Sequence, residues 1–336
     1  MPEVQEDDRL AALRALSSRG GSLSPDSPHA STNNPDWWRD GDPTPERRVV
    51  HNRLLRQERQ AHPGVRQEKR ALLLAGPPGA GKSTARDAVL GGDSARFRSI
   101  DPDRFKELLL AEAIADGSYE RRILPGELSS ASGPSFHPME LASLVHEESS
   151  FLANRLRDQA IADGDNVVID TVLGSADKAR RISAQLEAAG YDVQVVDVEV
   201  PFEVSEARIR QRWLEGNEAA RRGEGLGGRW VPSDFARNVF DGPGGRSRPE
   251  ANARMVAVES PAVSRYRVYR TTAEQAEVKA SPVLETDMSR ATRGGPLVPT
   301  RPAEAEAPRA RPLPGIARAG RTTLGRTGPT RVDRGR

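Results

Sequence analysis

The sequence has no cysteine among its 336 residues, which excludes disulfide bonds and thiolate metal sites. It also has few long apolar stretches, and the run at residues 71–75, beside the motif described below, is far too short to cross a membrane. The N-terminus is acidic and is not followed by an apolar segment, so it does not predict a signal peptide. We therefore expect a cytoplasmic protein without a membrane partner.

The net charge of the chain is small, and the chain has few lysines. The formal net charge is only +2, which gives no general argument for nucleic-acid binding. Most basic residues are arginines, so a lysine inside a motif carries more weight than it would in a lysine-rich chain. The lysines are Lys69, Lys82, Lys106, Lys178 and Lys279.

Composition divides the chain into three regions. Residues 1–43 are rich in Ser, Pro, Asp and Gly and predict a loosely ordered arm, in which a pair of tryptophans, Trp37 and Trp38, is expected to pack back onto the domain rather than bind a partner. Residues 44–287 predict a folded domain, whose first helix begins after Thr44. Residues 288–336, rich in Pro and Arg, predict a disordered basic tail that could contact nucleic acid weakly.

Strands and helices alternate through the central region. Short apolar strands are predicted at residues 71–75, 97–101, 167–170, 192–200 and 265–270. Helices between them predict an α/β fold with three layers (α/β/α), in which a mostly parallel sheet of five to six strands is covered on both faces. Ligands of such folds bind at the carboxyl ends of the strands.

A glycine-rich motif follows the first of these strands. It consists of Gly76, Pro77, Pro78, Gly79, Ala80, Gly81, Lys82, Ser83 and Thr84. Glycines allow backbone N–H groups to turn toward phosphate oxygens, and a helix that starts at the motif points its positive end at them. In such a P-loop Lys82 would reach the β- and γ-phosphates, and the hydroxyl of Ser83 would bind Mg²⁺.

Two absences narrow the class of nucleotide-binding protein. The sequence has no Asn-Lys-x-Asp segment, which regulatory GTPases use to recognise guanine. Its strand at residues 167–170 ends in Asp170 followed by Thr171, whereas motor ATPases end this strand in Asp-Glu. With regulatory GTPases and motor ATPases disfavoured, a kinase is the preferred class. A kinase needs a carboxylate that faces the acceptor hydroxyl and arginines around the transferred phosphoryl group.

The sequence offers carboxylates at the ends of two strands. Asp103 is the preferred catalytic base, because it stands at the start of a helix just beyond a strand. Asp101 either faces the same site or caps that helix. Asp170 could hold Mg²⁺ through water, orient the substrate or cap a helix.

Arginines follow on a basic helix predicted over residues 202–222. Arg208 and Arg212 share one face of it, and Arg229 comes after the glycine-rich turn at residues 223–228. This arrangement predicts a lid that closes over the phosphates.

These segments, taken in order over about residues 45–272, resemble the zeta toxin family of bacterial toxin–antitoxin systems. The resemblance rests on the P-loop, on Ile-Asp-Pro-Asp-Arg-Phe-Lys at 100–106, on Asn-Val-Val-Ile-Asp at 166–170, on the arginine-bearing segment 208–213 and on Gly-Arg-Trp-Val-Pro at 228–232. It implies a P-loop kinase that uses ATP and Mg²⁺ to phosphorylate the 3′-hydroxyl of UDP-N-acetylglucosamine, a nucleotide sugar. By the same resemblance, Asp103 is the base, Lys82 and Ser83 bind phosphate and Mg²⁺, and Arg212 and Arg229 hold the phosphates.

The resemblance further implies an antitoxin protein as a partner. The segments after Phe105 and after Asp170 differ from the family's usual pattern where the sugar nucleotide would bind. Two alternatives therefore stay open at this point. One is a P-loop kinase for another hydroxyl acceptor, and the other is a nucleotide-gated interaction protein with little transfer activity.

Overall fold

The computed structural model describes residues 2–128 and 136–300. The strands are β1 Trp38–Arg39, β2 Asp42–Pro43, β3 Arg70–Ala75, β4 Arg98–Ile100, β5 Val167–Asp170, β6 Asp192–Glu199, β7 Val263–Arg270, β8 Val283–Ser289 and β9 Val298–Pro299. The helices are α1 Pro2–Leu16, α2 Pro45–Gln60, α3 Lys82–Leu90, α4 Pro102–Ala115, α5 His146–Asp163, α6 Ala176–Ala188, α7 Phe202–Arg221, α8 Ser233–Phe240, α9 Arg248–Glu259 and α10 Ala273–Glu277. Within these residues no helix has both the length and the hydropathy needed to cross a membrane.

The central sheet has seven strands in the order β4-β5-β3-β6-β7-β8-β9. The first five run parallel to one another, and β8 and β9 add antiparallel pairs at one edge. The predicted α/β class and mostly parallel sheet are confirmed. The two antiparallel strands were not predicted, which is why the sheet exceeds the expected five to six strands.

Helices cover both faces of the sheet because apolar side chains alternate along its strands. Leu72 and Leu74 of β3 face one layer, where they join a buried cluster with Ala85 of α3. Leu73 faces the other layer and joins the larger cluster that includes Phe105 of α4. Strands buried on both faces are typical of parallel sheets in three-layer folds.

The N-terminal segment packs onto the domain, which contradicts the predicted loosely ordered arm. Leu13 and Leu23 are fully buried and belong to the larger core cluster, together with Leu10. Apolar residues are few here, but Leu10 and Leu13 stand three apart in α1 and so share the face that packs on the domain. Trp37 and Trp38 are also buried in this cluster, as predicted for the tryptophan pair.

At the other end, regular structure continues past residue 287, where the basic tail was predicted to begin. Met288 and Ser289 of β8 pair with β9, and the guanidinium of Arg290 donates to the carbonyl oxygen of Ser260 at 2.7 Å. The tail predicted for residues 288–336 therefore begins too early. Its remaining part, residues 301–336, lies outside the described residues.

Helix boundaries agree with the sequence where capping signals are clear. Thr44 caps α2 by accepting a hydrogen bond from Arg47 N, as predicted. Helix α5 is preceded by a 3₁₀ segment at Pro138–Val145. Helices α8 and α9 were not predicted, although Ser247 caps α9 through the backbone N–H of Glu250.

Candidate active site

The P-loop connects β3 to α3 at the carboxyl edge of the parallel strands. Gly76, Gly79 and Gly81 all have positive φ angles, of 136°, 73° and 97°. A Cβ atom at Gly76 would lie 2.3 Å from the carbonyl oxygen of Val198, so only glycine fits against β6 there. This conformation turns backbone N–H groups inward at the start of α3, which is the arrangement that binds phosphate.

Lys82 and Asp170 meet beside the loop. The ammonium of Lys82 donates to the carbonyl oxygen of Gly76 at 3.2 Å and lies 3.7 Å from Oδ1 of Asp170, at the end of β5. The structure therefore brings together two residues that the sequence assigned to the nucleotide site. Ser83 and Thr84, in the first turn of α3, are exposed.

Helix α7 supports the loop from the side. Ser205 donates from its hydroxyl to the carbonyl oxygen of Pro78 at 2.6 Å. Arg208 donates from one guanidinium nitrogen to the carbonyl oxygens of Gly79 and Ala80 at 3.3 and 3.2 Å. Ser205 was not predicted, although its position three residues before Arg208 places both on one face of the helix.

Asp101 and Asp103 lie at the start of α4. Oδ1 of Asp101 accepts the backbone N–H of Asp103 at 2.8 Å, so Asp101 caps the helix, which is one of the two roles considered for it. The cap fixes the first turn and thereby fixes the position of the Asp103 side chain.

Two cations meet Asp103 at a single oxygen. Oδ1 accepts from Lys106 Nζ at 3.0 Å and from NH1 of Arg229 at 2.8 Å. Burial would raise the pKa of Asp103, but Arg229 and Lys106, with Lys82 further away, outweigh burial and hold the pKa below its usual value. Oδ2 accepts no hydrogen bond from residues 2–128 and 136–300.

Lys106 is a residue of this site that sequence reasoning missed. Its side chain is buried, and burial lowers its pKa. The available signal was spacing, because Lys106 stands three residues after Asp103 on the same helical face, and lysine is rare in this chain.

The carboxylates of this edge are close enough to repel one another. Burial, followed by the charges of Asp103 and Asp170, raises the pKa of Asp101 to about 6. Carboxylates beside a phosphate loop fit a site for Mg²⁺, which is usually held by one or two carboxylates together with substrate phosphates. Within the described residues, no group of three or more acidic or histidine side chains forms a complete metal cage.

The two arginines predicted for phosphate binding differ in their surroundings. Arg229 faces the site through Asp103. Arg212 is exposed, and its guanidinium forms no hydrogen bond or ion pair within the part of the chain that the structure describes. Its role stays a prediction.

The last residue of the glycine-rich segment between α7 and Arg229, Gly228, is fixed by contacts with α7. A Cβ atom at Gly228 would lie 2.0 Å from the carbonyl oxygen of Trp213, and the N–H of Gly228 donates to Oδ1 of Asn217 at 2.8 Å. Gly228, the last residue of the predicted glycine-rich turn, is therefore needed for close approach to α7.

Comparison with known sequences finds similarity to one family over part of the chain. The sequence model of the family described as Zeta toxin matches residues 127–276. The match includes Asp170, Arg212 and Arg229 and leaves out the P-loop and Asp103. A search of curated proteins finds no match.

Comparison with solved structures identifies the fold. A crystal structure of AvrRxo1-ORF1 with AvrRxo1-ORF2 and ATP matches with a TM-score of 0.53 and 20% identity, over 77% of this chain and 71% of that chain. The same pair with sulphate ions matches with a TM-score of 0.52 and 21% identity over the same shares. A structure from the PezAT chromosomal toxin–antitoxin system of Streptococcus pneumoniae matches with a TM-score of 0.50 and 16% identity, over 73% and 83% of the two chains.

Proposed function

We propose that the chain belongs to the zeta toxin family, whose sequence model matches residues 127–276, and that it is an ATP-dependent kinase that phosphorylates a hydroxyl group of a small molecule. The first candidate acceptor is the 3′-hydroxyl of UDP-N-acetylglucosamine. The observation that carries this proposal is the set of contacts made by the Asp103 carboxylate and its lowered pKa. This carboxylate is kept ionised by Arg229 and Lys106 at Oδ1, while Oδ2 is left to accept the proton of a hydroxyl.

The proposed reaction is an in-line transfer. A bond forms between the acceptor oxygen and the γ-phosphorus, the bond from that phosphorus to the β–γ bridging oxygen breaks, and ADP leaves. Asp103 takes the hydroxyl proton late in the step, because the transition state of phosphoryl transfer is loose. A base with a lowered pKa is sufficient for this, since the proton becomes acidic only as the new bond forms.

The charge that spreads over the phosphoryl oxygens requires positive partners. Lys82 lies in the P-loop, where its ammonium can leave the carbonyl of Gly76 for a phosphate oxygen. Arg229 uses one N–H for Asp103, and a guanidinium has five, so the remaining donors are available to the phosphoryl group. Arg212, with no competing partner among the described residues, is proposed as the second arginine.

Three residues at the carboxyl edge of the parallel strands have side chains suited to binding Mg²⁺. Ser83 would bind it through its hydroxyl, and Asp170 and Asp101 would hold its water ligands. When bound, Mg²⁺ neutralises charge on the β- and γ-phosphates. Use of ATP is supported by the geometry of the P-loop and by the similar fold of a chain in the complex of AvrRxo1-ORF1 with AvrRxo1-ORF2, whose crystal structure is described as containing ATP. Because ATP and nucleotide sugars are cytoplasmic metabolites, a cytoplasmic localisation belongs to the same proposal.

An antitoxin partner is also proposed. The fold is similar to that of proteins described as a toxin–antitoxin system, and AvrRxo1-ORF1 is described in complex with a second protein. A protein of this kind is expected to bind over the nucleotide site and prevent transfer.

The proposal is tested with the full chain and γ-labelled ATP in the presence of Mg²⁺. UDP-N-acetylglucosamine and a panel of other hydroxyl-bearing metabolites are offered as acceptors. Labelled UDP-N-acetylglucosamine would support the full proposal, whereas transfer only to another metabolite would keep the kinase and reject the acceptor. Tight ATP binding without transfer to any member of the panel would instead favour the nucleotide-gated interaction protein.

A further inference from the structure

Glu140 is a buried carboxylate on which several elements converge. Its side chain is fully buried in the 3₁₀ segment Pro138–Val145. Its Oε1 accepts from Trp213 Nε1 at 2.8 Å and from Asn217 Nδ2 at 3.1 Å, both on α7. Arg9 of α1 forms an ion pair with the same carboxylate, with Nε 2.8 Å from Oε1. A buried charge of this kind needs its cation, because water cannot replace it.

Asn217 connects this ion pair to the active site. A carboxylate only accepts hydrogen bonds, so Glu140 fixes the NH₂ group of Asn217 toward itself and leaves the amide oxygen pointing the other way. That oxygen accepts the backbone N–H of Gly228 at 2.8 Å. Gly228 immediately precedes Arg229, whose guanidinium binds Asp103.

A second contact holds the other side of Arg229. The indole N–H of Trp230 donates to the hydroxyl of Ser17 at 3.1 Å, just after the end of α1. The Trp230 ring also packs edge-on against Trp213, with centroids 6.2 Å apart. The residues immediately before and after Arg229 are therefore both anchored, Gly228 through its backbone N–H and Trp230 through its side chain, and both anchors lead to the N-terminal segment.

We propose that Asn217 and the Arg9–Glu140 ion pair are positioning residues for Arg229, so that the N-terminal helix α1 is a working part of the active site. This inference rests on the kinase activity proposed above. None of these three residues touches Asp103, and they act only through the backbone on either side of Arg229. Their effect on catalysis is expected to be large, because displacement of a catalytic group by about 1 Å can lower a rate about 100-fold.

The test compares two arginines of the same helix. Arg9→Ala removes the cation of Glu140, whereas Arg14→Ala removes an arginine that is about half exposed and 3.9 Å from Glu206. Arg9→Ala is expected to lower kcat about tenfold or more with the KM for ATP unchanged. Arg14→Ala is expected to stay within about twofold of the parent. Arg9→Lys, which keeps a positive charge beside Glu140, should restore part of kcat and replaces Arg9→Ala if that variant does not fold.

Coupling to Arg229 separates positioning from general destabilisation. In an Arg229→Ala background, Arg9→Ala and Asn217→Ala should cause little further loss of kcat, because the group that they position is gone. Fully additive losses would overturn the inference.

A readout without activity keeps this inference distinct from the proposed function. Amide hydrogen exchange at residues 226–231 should accelerate in Arg9→Ala and Asn217→Ala but not in Arg14→Ala. If no acceptor is phosphorylated by the parent protein, the kinase proposal fails and the exchange data still decide whether α1 fixes this segment. Unchanged exchange in all three variants would reject the positioning role.

Discussion

Arg229 donates a hydrogen bond from NH1 to Oδ1 of Asp103 at 2.8 Å, which joins the segment after α7 to the first turn of α4. The two residues are 126 positions apart in sequence, so only the folded chain brings them together. Lys106 binds the same oxygen, and this leaves Oδ2 of Asp103 as the side that can face an acceptor. In the proposed mechanism, with Asp103 as the base, a hydroxyl would approach from the side of Oδ2.

Asp103→Asn is expected to retain ATP binding and to lose turnover. The amide keeps the shape of the side chain but cannot take a proton, and general base catalysis contributes about 10² to 10⁴ in rate. Turnover is measured with labelled ATP, and ATP affinity by calorimetry. Glu107→Gln, an exposed carboxylate on the same helix, is the control and should change neither quantity. Normal turnover in Asp103→Asn would mean that this carboxylate is not the base.

Arg212→Ala is expected to lower kcat without lowering stability. The guanidinium is exposed and has no partner within the described residues, so its removal costs the folded protein little. If it binds the transferred phosphoryl group, its loss should reduce kcat about 10² to 10³-fold. Arg210→Ala is the matched control, because Arg210 lies two residues earlier and binds Asp7 instead. Equal kcat values for the two variants would remove Arg212 from the mechanism.

The P-loop and its carboxylates could be predicted because their signals are local. Glycine spacing specifies the backbone of residues 76–81, and Asp101 and Asp103 directly follow a strand, which places them at the carboxyl edge of a parallel sheet. The contacts of Arg208 and Ser205 with the loop were beyond local reasoning. They depend on how α7 packs against the P-loop, more than 120 residues earlier in the chain.

The N-terminal segment shows where prediction from composition fails. Its composition predicts disorder because polar residues dominate, yet a few leucines bury it against the domain. Composition averages over a window, whereas packing depends on where a few side chains point. The antiparallel strand β8 was missed for a related reason, since Val283 and Leu284 are exposed and do not give the buried pattern of a central strand.

Gly228→Ala is expected to destabilise the protein and to displace Arg229. An added Cβ would lie 2.0 Å from the carbonyl oxygen of Trp213, so the backbone must move. Forcing an extra carbon into such a contact typically costs about 1–3 kcal/mol. Thermal unfolding and kcat are measured together, with Gly92→Ala as the control because no atom lies within 4 Å of its added Cβ. A variant with parental stability and turnover would show that the segment adapts without cost.

Glu199 and Asp197, two buried carboxyls on one face of β6, predict a dependence of stability on pH. Burial and the neighbouring Glu250 raise the pKa of Glu199 from 4.5 to about 7, and burial with Glu199 raises the pKa of Asp197 as well. The folded protein then binds more protons than the unfolded chain between these pKa values. The contribution of this pair to stability is therefore largest below pH 4.5 and falls as the pH rises to about 7.

Glu199→Gln tests this dependence directly. The amide oxygen can still accept the hydrogen bond that Ser247 donates to Glu199 at 2.7 Å, while no charge forms at neutral pH. The variant should be more stable than the parent near pH 8, and its melting temperature should fall less between pH 5 and pH 8. Asp163→Asn, which removes an exposed carboxylate, should keep the parental slope. Parallel pH profiles for the parent and Glu199→Gln would mean that Glu199 is ionised at neutral pH in the folded protein, and that Arg270, whose charge lowers the pKa of both carboxyls, compensates its burial.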